Sequence, residues 1–549
     1  MPKADIFLFI WRPPYYIVIC ESTERQYAYL SYLLLYFNIF IAERHIILSF
    51  AQYLESCRYH IIEYILANRL NHNNILLVHP LGYRPDLAKD DISRKANMMP
   101  PIGLASIAAY LEQKSFTADI IDCFAKPGAE KIIGEYLQHQ RPGFIGISTT
   151  TSSFLDGVRI AKIAKALLPG IKVIFGGPHV SALKKETLAA FPMIDLLVVG
   201  EGEETLAELM ACETEPPSSI EGVVYRDESG EPVFSGYRQK GVELDTLPYP
   251  AYEKLAGYPD KYYLPIFSYP QLPNASCISS RGCPYSCSYC DRSVFRQTFR
   301  FNSAEYLYHH LLYLRDRFGI RHVNFYDDQF TFHRGRIKAF AQQMVDHPIG
   351  VSFNCAARAE HLDLELLQLM KAAGCWMISL GVESGDEALL ARHRQNPDRD
   401  MLAEKIRLIH RVGIRVKALM MIGLPGETEA SIHKSIQYVS SLPIDDLNVA
   451  KFTPFPGSPI YESIHEKGEF DENWEKMDCM HFQFIPNGLT RKQLDDLFLL
   501  FYKTHFKRPR ILWNHVAMLW QSPDSWRQFL KNLPLFLKFA VSNKRITEP

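Results

Sequence analysis

The sequence lacks an excess of charge of either sign, since 60 Lys and Arg residues are matched by 61 Asp and Glu residues. This balance excludes nucleic-acid binding driven by overall basicity, although it leaves room for a local basic patch. With 47% hydrophobic and 22% charged residues, the chain is neither a disordered protein nor a polytopic membrane protein. At roughly 150 residues per domain, its 549 residues allow three or four domains.

Residues 1–73 lack glycine, and within them the stretch 26–42 lacks charge. Its 17 residues are at the lower limit for spanning a bilayer, and its aromatic side chains crowd the centre rather than the ends. A membrane anchor or hairpin, a docked apolar helix and a translated extension without a fold all remain open. No small-residue cleavage site follows the first charged cluster, so no cleavable signal peptide is predicted.

The 11 cysteines do not have the distribution of a disulfide framework. Seven are scattered and resemble small buried hydrophobic residues. The other four lie within 14 positions, at Cys277, Cys283, Cys287 and Cys290. One tight group in a long chain indicates metal binding in a reducing compartment, which predicts a cytoplasmic protein.

Short β-branched segments alternate with helical segments from residue 74 onward. This alternation predicts a doubly wound, Rossmann-like parallel sheet over residues 74–212, with strands at 74–79, 118–123, 143–148, 172–177 and 195–202. Because ligands bind at the carboxyl ends of such strands, the polar and glycine-rich strand ends are a candidate ligand site. Tight strand-to-helix turns are the alternative.

Residues 213–274 are rich in proline and are predicted to be a connector that contains a hairpin. A second series of six strand–helix units predicts a partial (β/α)6 TIM-type barrel over 275–487, with chemistry at the strand ends. Residues 488–549 are predicted to be helical. From Phe501 onward they contain nine Lys or Arg, two Asp or Glu and nine aromatic residues. This composition fits either a helical cap or a face that contacts anionic lipid or an amphipathic substrate.

The strongest motif is the C-x3-C-x2-C loop formed by Cys283, Cys287 and Cys290. Three thiolates can hold three irons of a [4Fe–4S] cluster and leave the fourth iron without a protein ligand. Structural zinc is the alternative, but it requires four ligands. Cys277 is a weak fourth candidate, because it is predicted on the preceding strand and faces away.

This loop, placed after the first barrel strand, resembles that of the radical S-adenosylmethionine (SAM) superfamily. The resemblance implies that SAM chelates the open iron and is cleaved to a 5′-deoxyadenosyl radical. It also implies SAM-binding roles for residues after the second to fifth barrel strands: Tyr326, Asp327, Asp328, Arg358, Glu383, Gly423 and Gly426. The turn that contains Gly423 and Gly426 is implied to pack against the adenine of SAM. Residues 454–459 are similar to the end of the sixth barrel strand in the branch of this superfamily that has an N-terminal cobalamin-binding domain. A helix cap for Asp327 and Asp328, an Arg358–Glu383 ion pair and ordinary turn glycines are the structural alternatives.

The N-terminal sheet resembles the cobalamin-binding domains found in one branch of that superfamily. The strand-end residues implied to contact cobalamin are Ser148, Thr149, Gly176, Gly177, His179, Gly200, Glu201 and Gly202. The D-x-H-x-x-G cobalamin motif is absent, so no histidine is expected on the cobalt, and His179 is expected at the rim of the corrin ring. A domain that no longer binds cobalamin remains an alternative.

The resemblance implies an enzyme that transfers a methyl group to an unactivated carbon or to phosphorus. A non-methylating oxidation or ring closure and a non-catalytic sensor are the alternatives. The expected partners are a small-molecule substrate, with a hydrophobic lipid or tetrapyrrole as the hypothesis, and a reductant such as flavodoxin or ferredoxin. No nucleic acid is expected, and peripheral membrane contact is open.

Overall fold

A computed structural model describes residues 70–82, 97–126, 128–212 and 217–534, together with two short strands nearer the N-terminus. Those strands, β1 (Leu8–Ile10) and β2 (Tyr16–Val18), pair antiparallel. The uncharged stretch 26–42 and its three interpretations lie outside the described residues. Across the part of the chain that is described, no helix is long and apolar enough to span a bilayer.

The first large sheet has seven strands in the order β4-β3-β5-β6-β7-β8-β9. Its five parallel strands alternate with helices in the predicted pattern. The elements are β3 (Asn71–His79), α1 (Ile102–Gln113), β4 (Thr117–Asp122), α2 (Glu130–Gln140), β5 (Pro142–Ser148), α3 (Phe154–Leu167), β6 (Lys172–Gly176), α4 (Pro178–Leu183), α5 (Lys185–Ala190), β7 (Leu196–Val198) and α6 (Glu203–Ala211). Helices cover both faces, so strands such as β5 are buried along nearly their whole length.

The structure differs from the sequence prediction at two places in this sheet. The hairpin of the connector, β8 (Val223–Arg226) and β9 (Pro232–Phe234), joins the sheet as its antiparallel edge. A single helix is expected from the alternating pattern between the strands at 172–177 and 195–202, but the structure has two, α4 and α5, divided at Lys184, which has a φ of 46°. A residue with positive φ cannot continue an α-helix, so the chain bends there.

The second large sheet is six-stranded and fully parallel, in the order β10-β13-β14-β15-β16-β17. Each strand pairs with the next along the series and the sheet remains open, as expected for a partial barrel. Its strands and helices are β10 (Asn274–Cys277), α7 (Ala304–Phe318), β13 (His322–Phe325), α8 (Arg334–Asp346), β14 (Ser352–Ala357), α9 (Leu364–Ala372), β15 (Cys375–Glu383), α10 (Glu387–Leu390), α11 (Arg399–Arg411), β16 (Arg415–Ile422), α12 (Glu429–Ser440) and β17 (Asp446–Lys451).

Short pairs and three terminal helices complete the described chain. The loop after β10 holds the pair β11 (Ser280–Arg281) and β12 (Arg300–Phe301), and a second pair, β18 (Gly468–Phe470) and β19 (Phe484–Pro486), follows the barrel. The helices are α13 (Arg491–Phe506), α14 (Pro509–Gln521) and α15 (Pro523–Lys531). One hydrophobic core runs from the inner side of the first sheet through the barrel, and a second fills the outer side of the first sheet. The predicted fold class is confirmed.

Candidate functional site

The cysteine loop leaves the carboxyl end of β10 and is closed at its base by the β11–β12 pair. Gly282, directly before Cys283, has a φ of 87°, and a Cβ there would overlap the backbone oxygen of Thr298. Only glycine fits this position, since other residues would meet both the strained φ and the overlap. The loop therefore folds back on itself immediately before its first cysteine.

The three motif thiols lie on this one loop. The neighbouring Cys290 side chain, together with Tyr289 and Arg358, lowers the pKa of Cys287 despite its burial. Burial raises the pKa of Cys283. Among the described residues, no three His, Cys, Asp or Glu side chains already converge on one metal position, so these ligands stay a prediction. Their chemistry fits a cluster with an open iron, because thiolates are its usual protein ligands.

Cys277 is separated from this loop. It is fully buried on β10, with its sulfur 3.4 Å from His310 Nδ1 and 3.9 Å from the Tyr252 hydroxyl. Burial raises the pKa of its thiol to about 12, which disfavours the thiolate that a metal requires. The Cys277 side chain therefore lies in the core, which agrees with its predicted orientation away from the other three cysteines.

Asp327 anchors the start of the cysteine loop rather than capping a helix. Its buried carboxylate accepts hydrogen bonds from the Ser279 amide at 2.6 Å and from the Ser279 and Ser280 hydroxyls at 2.5 and 2.8 Å. Burial raises its pKa despite the nearby Arg336. Tyr326 and Asp328, on either side of it, line the cavity described below.

Arg358 and Glu383 lie beside the cysteine loop, but they do not form the ion pair considered from the sequence. Arg358 pairs with Glu360, and its guanidinium lies 3.7 Å above the centre of the Tyr285 ring, inside the loop. Burial raises the pKa of Glu383 to about 7, while Arg394 opposes this effect. Arg394 also donates to the Gly381 carbonyl at 2.8 Å. No motif or spacing in the sequence pointed to Arg394.

The glycine turn after β16 is connected to the cysteine loop through His393. One ring nitrogen of His393 lies 2.9 Å from the Ser288 hydroxyl and the other lies 2.9 Å from the Pro425 carbonyl. Within the turn, Glu427 accepts hydrogen bonds from the Gly423 amide at 2.5 Å and the Leu424 amide at 3.1 Å. Gly423 and Gly426 both have positive φ, of 95° and 79°. The turn predicted to pack against adenine is therefore held against the cysteine loop.

The far end of the cysteine loop packs on the turn 454–459. The Arg292 amide donates to the Gly457 carbonyl, and the Ile460 amide donates to the Ser288 carbonyl at 3.1 Å. A Cβ at Gly457 would overlap Asp291 Oδ1. The missing side chain of Gly457 therefore leaves room for the Asp291 carboxylate at the end of the cysteine loop.

The glycine-rich edge of the first sheet lies opposite the barrel. A Cβ at Gly177, whose φ is 100°, would be 2.5 Å from the Thr149 oxygen, and a Cβ at Gly202 would be 2.9 Å from Ile107 Cδ1. Gly200 also has positive φ, of 89°. Together these residues present bare backbone, which is what a large flat ligand requires for close approach.

A cavity of about 440 Å³ separates this edge from the barrel. The predicted residues that line it are Ser148, Gly176, Gly177, Gly200, Glu201, Gly202, Tyr326 and Asp328. Much of the remaining lining is apolar, from residues such as Leu77, Ile174, Leu247 and Val294. The structure thus brings the predicted cobalamin edge and part of the predicted SAM segment to one space, and the bare glycine edge fits a corrin ring.

His179 and Thr149 are not among the residues that line this cavity. His179 is fully buried, with its ring 4.2 Å from Phe154 and 4.6 Å from Trp474, measured between ring centres. Burial lowers its pKa to about 4. The expectation that His179 touches the corrin rim does not match this placement, because the turn that begins α4 directs its ring into the outer core.

Comparison with known proteins identifies both halves of this arrangement. The profile of the radical SAM superfamily matches residues 277–439, and the profile of the B12-binding domain matches residues 91–210. The chain has a radical SAM domain preceded by a B12-binding domain. The matched ranges include the three motif cysteines and the glycine-rich edge, respectively.

Two curated relatives resemble most of the chain. An uncharacterized methyltransferase of Pyrococcus horikoshii is 27% identical over 417 residues, which cover 75% of this chain and 89% of the relative. The anaerobic magnesium-protoporphyrin IX monomethyl ester cyclase of Rubrivivax gelatinosus is 25% identical over 448 residues, covering 80% and 78%.

A solved structure has the same fold. It is the radical SAM methyltransferase TsrM from Kitasatospora setae with cobalamin and a [4Fe–4S] cluster bound, at a TM-score of 0.58 and 19% identity. The similarity covers 72% of this chain and 75% of that protein.

An ion-pair network joins the radical SAM domain to the B12-binding domain. Arg281, two positions before Cys283, contacts Glu203 at 2.6 Å and Glu201 at 2.5 Å. Arg300 also pairs with Glu201, and Ser106 donates to Glu203 at 2.8 Å. Glu201 was predicted beside cobalamin, but Arg281 and Glu203 were not predicted as site residues. Arg281 lies two positions before the first motif cysteine and Glu203 directly follows a predicted ligand glycine, and these positions were the available signals.

Proposed function

We propose that this protein is a cobalamin-dependent radical SAM methyltransferase that modifies a carbon or phosphorus centre of a hydrophobic small molecule. The observation that supports this most directly is the shared cavity, which has the glycine edge of the B12-binding domain on one side and the start of the cysteine loop on the other. A methyl donor bound on one wall and a radical generated near the other could then reach one substrate.

Some residues of the site would bind the cofactors, and others position the segments that carry them. When bound, the [4Fe–4S] cluster and SAM supply the 5′-deoxyadenosyl radical, and cobalamin supplies the methyl group. Cys283, Cys287 and Cys290 would hold the cluster. Asp327 fixes the strand end before them, and His393 holds the predicted adenine turn against them. Apolar cavity walls exclude water, which protects a reactive radical.

A hydrophobic substrate is supported by the apolar lining of the cavity. The Rubrivivax relative is named for a magnesium-protoporphyrin ester, which is a large, mostly apolar molecule. A tetrapyrrole or a lipid is therefore the proposed substrate class. The electron needed to cleave SAM would come from a flavodoxin- or ferredoxin-type reductant, and no nucleic acid partner is proposed.

Ring closure or another non-methylating oxidation is the second candidate, and the similarity to the cyclase favours it. The two functions differ in how they consume SAM. Methyl transfer converts a second SAM to S-adenosylhomocysteine, because the methyl group leaves SAM and is not regained. A cyclase would form 5′-deoxyadenosine without stoichiometric S-adenosylhomocysteine.

The test is anaerobic reconstitution of the full chain with iron, sulfide, cobalamin, SAM labelled in its methyl group and a strong reductant. We expect both 5′-deoxyadenosine and S-adenosylhomocysteine, with S-adenosylhomocysteine formation dependent on added cobalamin. Cys283→Ser should abolish 5′-deoxyadenosine and serves as the background. Formation of 5′-deoxyadenosine without cobalamin-dependent S-adenosylhomocysteine would favour the cyclase-type reaction, and formation of neither would favour a non-catalytic role.

A further inference from the structure

Helix α14 carries an apolar stripe that faces solvent. Trp513 is 72% exposed and Trp520 is 76% exposed, and Leu512, Val516 and Leu519 lie between or beside them. Their spacing places all five on one side of the helix, while Ile511 and Met518 are buried on the other side. An exposed apolar patch that includes two indole rings is unusual for a free surface and indicates a binding face.

The stripe is held on a fixed support. At the start of α15, the Ser522 hydroxyl donates to the Tyr269 carbonyl at 2.5 Å, and the Leu272 amide donates to Asp524 at 3.1 Å. The Trp526 indole then donates to the His515 carbonyl of α14 at 3.3 Å. Both helices are thereby tied to the connector, and the indole rings project from a rigid surface.

Basic residues flank the stripe in the chain. Helix α14 has no acidic residue, and exposed basic residues precede and follow it: Lys503, Lys507, Arg527 and Lys531. From Phe501 to the last described residue, the only carboxylate is Asp524, which is engaged by Leu272 and Arg527. Leu499, Leu500 and Leu530 on the neighbouring helices are also exposed. The terminal helices therefore combine an exposed apolar stripe with an excess of basic residues.

We propose that the α14 stripe is a membrane-surface contact that inserts its indole rings at the headgroup level of an anionic phospholipid bilayer. Tryptophan is favoured at that depth, and flanking Lys and Arg are attracted to anionic headgroups. A second copy of this chain is a poorer occupant, because two such faces would bring like charges together. This contact is independent of the proposed reaction.

The experiment is cosedimentation of the full chain with mixed phosphatidylcholine–phosphatidylglycerol vesicles, compared with pure phosphatidylcholine vesicles. We expect binding to the mixed vesicles, a blue shift of tryptophan emission on binding, and loss of binding in about 1 M NaCl, where the Debye length is ~3 Å. The double variant Trp513→Ala/Trp520→Ala should weaken binding on the order of tenfold. Leu364→Ala, at an exposed leucine on α9, is the matched control and should bind as the parent does.

Circular dichroism of both variants shows whether they are folded, and sedimentation velocity measures the oligomeric state. Equal binding of the double variant and the parent, or no binding by either, would overturn the proposal. A dimer that the double variant dissociates, without vesicle binding by the parent, would assign the stripe to a second copy instead. A conservative Trp513→Phe/Trp520→Phe variant should retain most of the binding, since it keeps aromatic side chains at the same positions.

Discussion

The Arg281 guanidinium contacts the Glu203 carboxylate at 2.6 Å, and this pair connects the cysteine loop to the B12-binding domain. Burial alone would raise the pKa of Glu203, but Arg281 and Ser106 outweigh it and hold that pKa below its usual value. A carboxylate with a lowered pKa stabilises the fold above its unfolded pKa, and this contribution is lost as the pH falls through the folded value. The two cofactor domains are therefore coupled by a charge pair two residues from a predicted cluster ligand.

Glu203→Gln should destabilise the protein, because it leaves Arg281 half-buried with only Glu201 as a charged partner. Removing one member of a buried pair costs about 3–5 kcal/mol in unfolding free energy, and the partial exposure of Arg281 places the expectation near the lower end. Urea unfolding measures this difference. Glu186→Gln, at an exposed position in the same domain, is the control and should change stability by less than about 0.5 kcal/mol. Equal effects would show that the pair does not couple the domains.

The three motif cysteines and Cys277 should behave differently on substitution by serine. Cys283→Ser, Cys287→Ser and Cys290→Ser should each abolish assembly of a stable [4Fe–4S] cluster, because a cluster with one open iron cannot also lose a thiolate. Cys277→Ser should retain the cluster, since that thiol is buried against Tyr252 and His310. Iron and acid-labile sulfide content after anaerobic reconstitution measures both outcomes. Loss of the cluster in Cys277→Ser, or zinc in place of iron, would contradict the three-thiolate arrangement.

Gly457→Ala should disturb the cysteine loop from outside it. The added Cβ overlaps Asp291 Oδ1, so either the Asp291 side chain moves and loses its hydrogen bond from the Ser293 amide, or the turn shifts. We expect a lower iron content and a stability loss of about 1–3 kcal/mol. Gly335→Ala in α8 is the matched control, because the nearest atom to its Cβ would be His333 Cε1 at 3.6 Å. Iron content is measured for both variants under the same reconstitution. An unchanged iron content in Gly457→Ala would show that this contact does not position the loop.

The fold was predictable because the six strands of the barrel sheet and five of the seven strands of the first sheet are parallel, so each of these strands is a short apolar segment that alternates with helices. The hairpin β8–β9 was predicted, but its pairing with β7 was not, since nothing local to residues 223–234 specifies which edge they join. The three motif cysteines were found from their spacing, and the SAM-binding residues were implied by the family resemblance. Arg394 and His393 were missed because they act through the backbone carbonyls of Gly381 and Pro425, which are distant in sequence. The direction of the His179 ring depends on the turn into α4, which the sequence pattern does not specify.

Glu427 provides a pH-dependent test of the glycine turn. Burial raises the pKa of its carboxyl to about 8, although the Gly423 and Leu424 amides oppose this. The folded protein therefore holds a proton that the unfolded chain releases, and the contribution of Glu427 to stability falls as the pH rises from its ordinary value near 4.5 towards 8. Glu427→Gln keeps an oxygen acceptor but cannot titrate. The unfolding free energy of the variant minus that of the parent should increase between these pH values, and a constant difference would contradict this assignment.

Gly177 and His179 are two positions apart, and substitution of Gly177 but not of His179 should reduce corrinoid binding. Gly177→Ala combines a φ of 100° with a Cβ 2.5 Å from the Thr149 oxygen, so it should distort the cavity edge and reduce the bound cobalamin measured by visible absorption. His179→Phe keeps an aromatic ring between Phe154 and Trp474 and should bind cobalamin as the parent does.

Because burial lowers the pKa of His179 to about 4, the unfolded chain binds a proton there below about 6.5, and stability falls as the pH decreases from 6.5 to 4. His179→Phe should remove that part of the acid sensitivity. Loss of cobalamin binding in His179→Phe would instead show that His179 contributes to the corrin site.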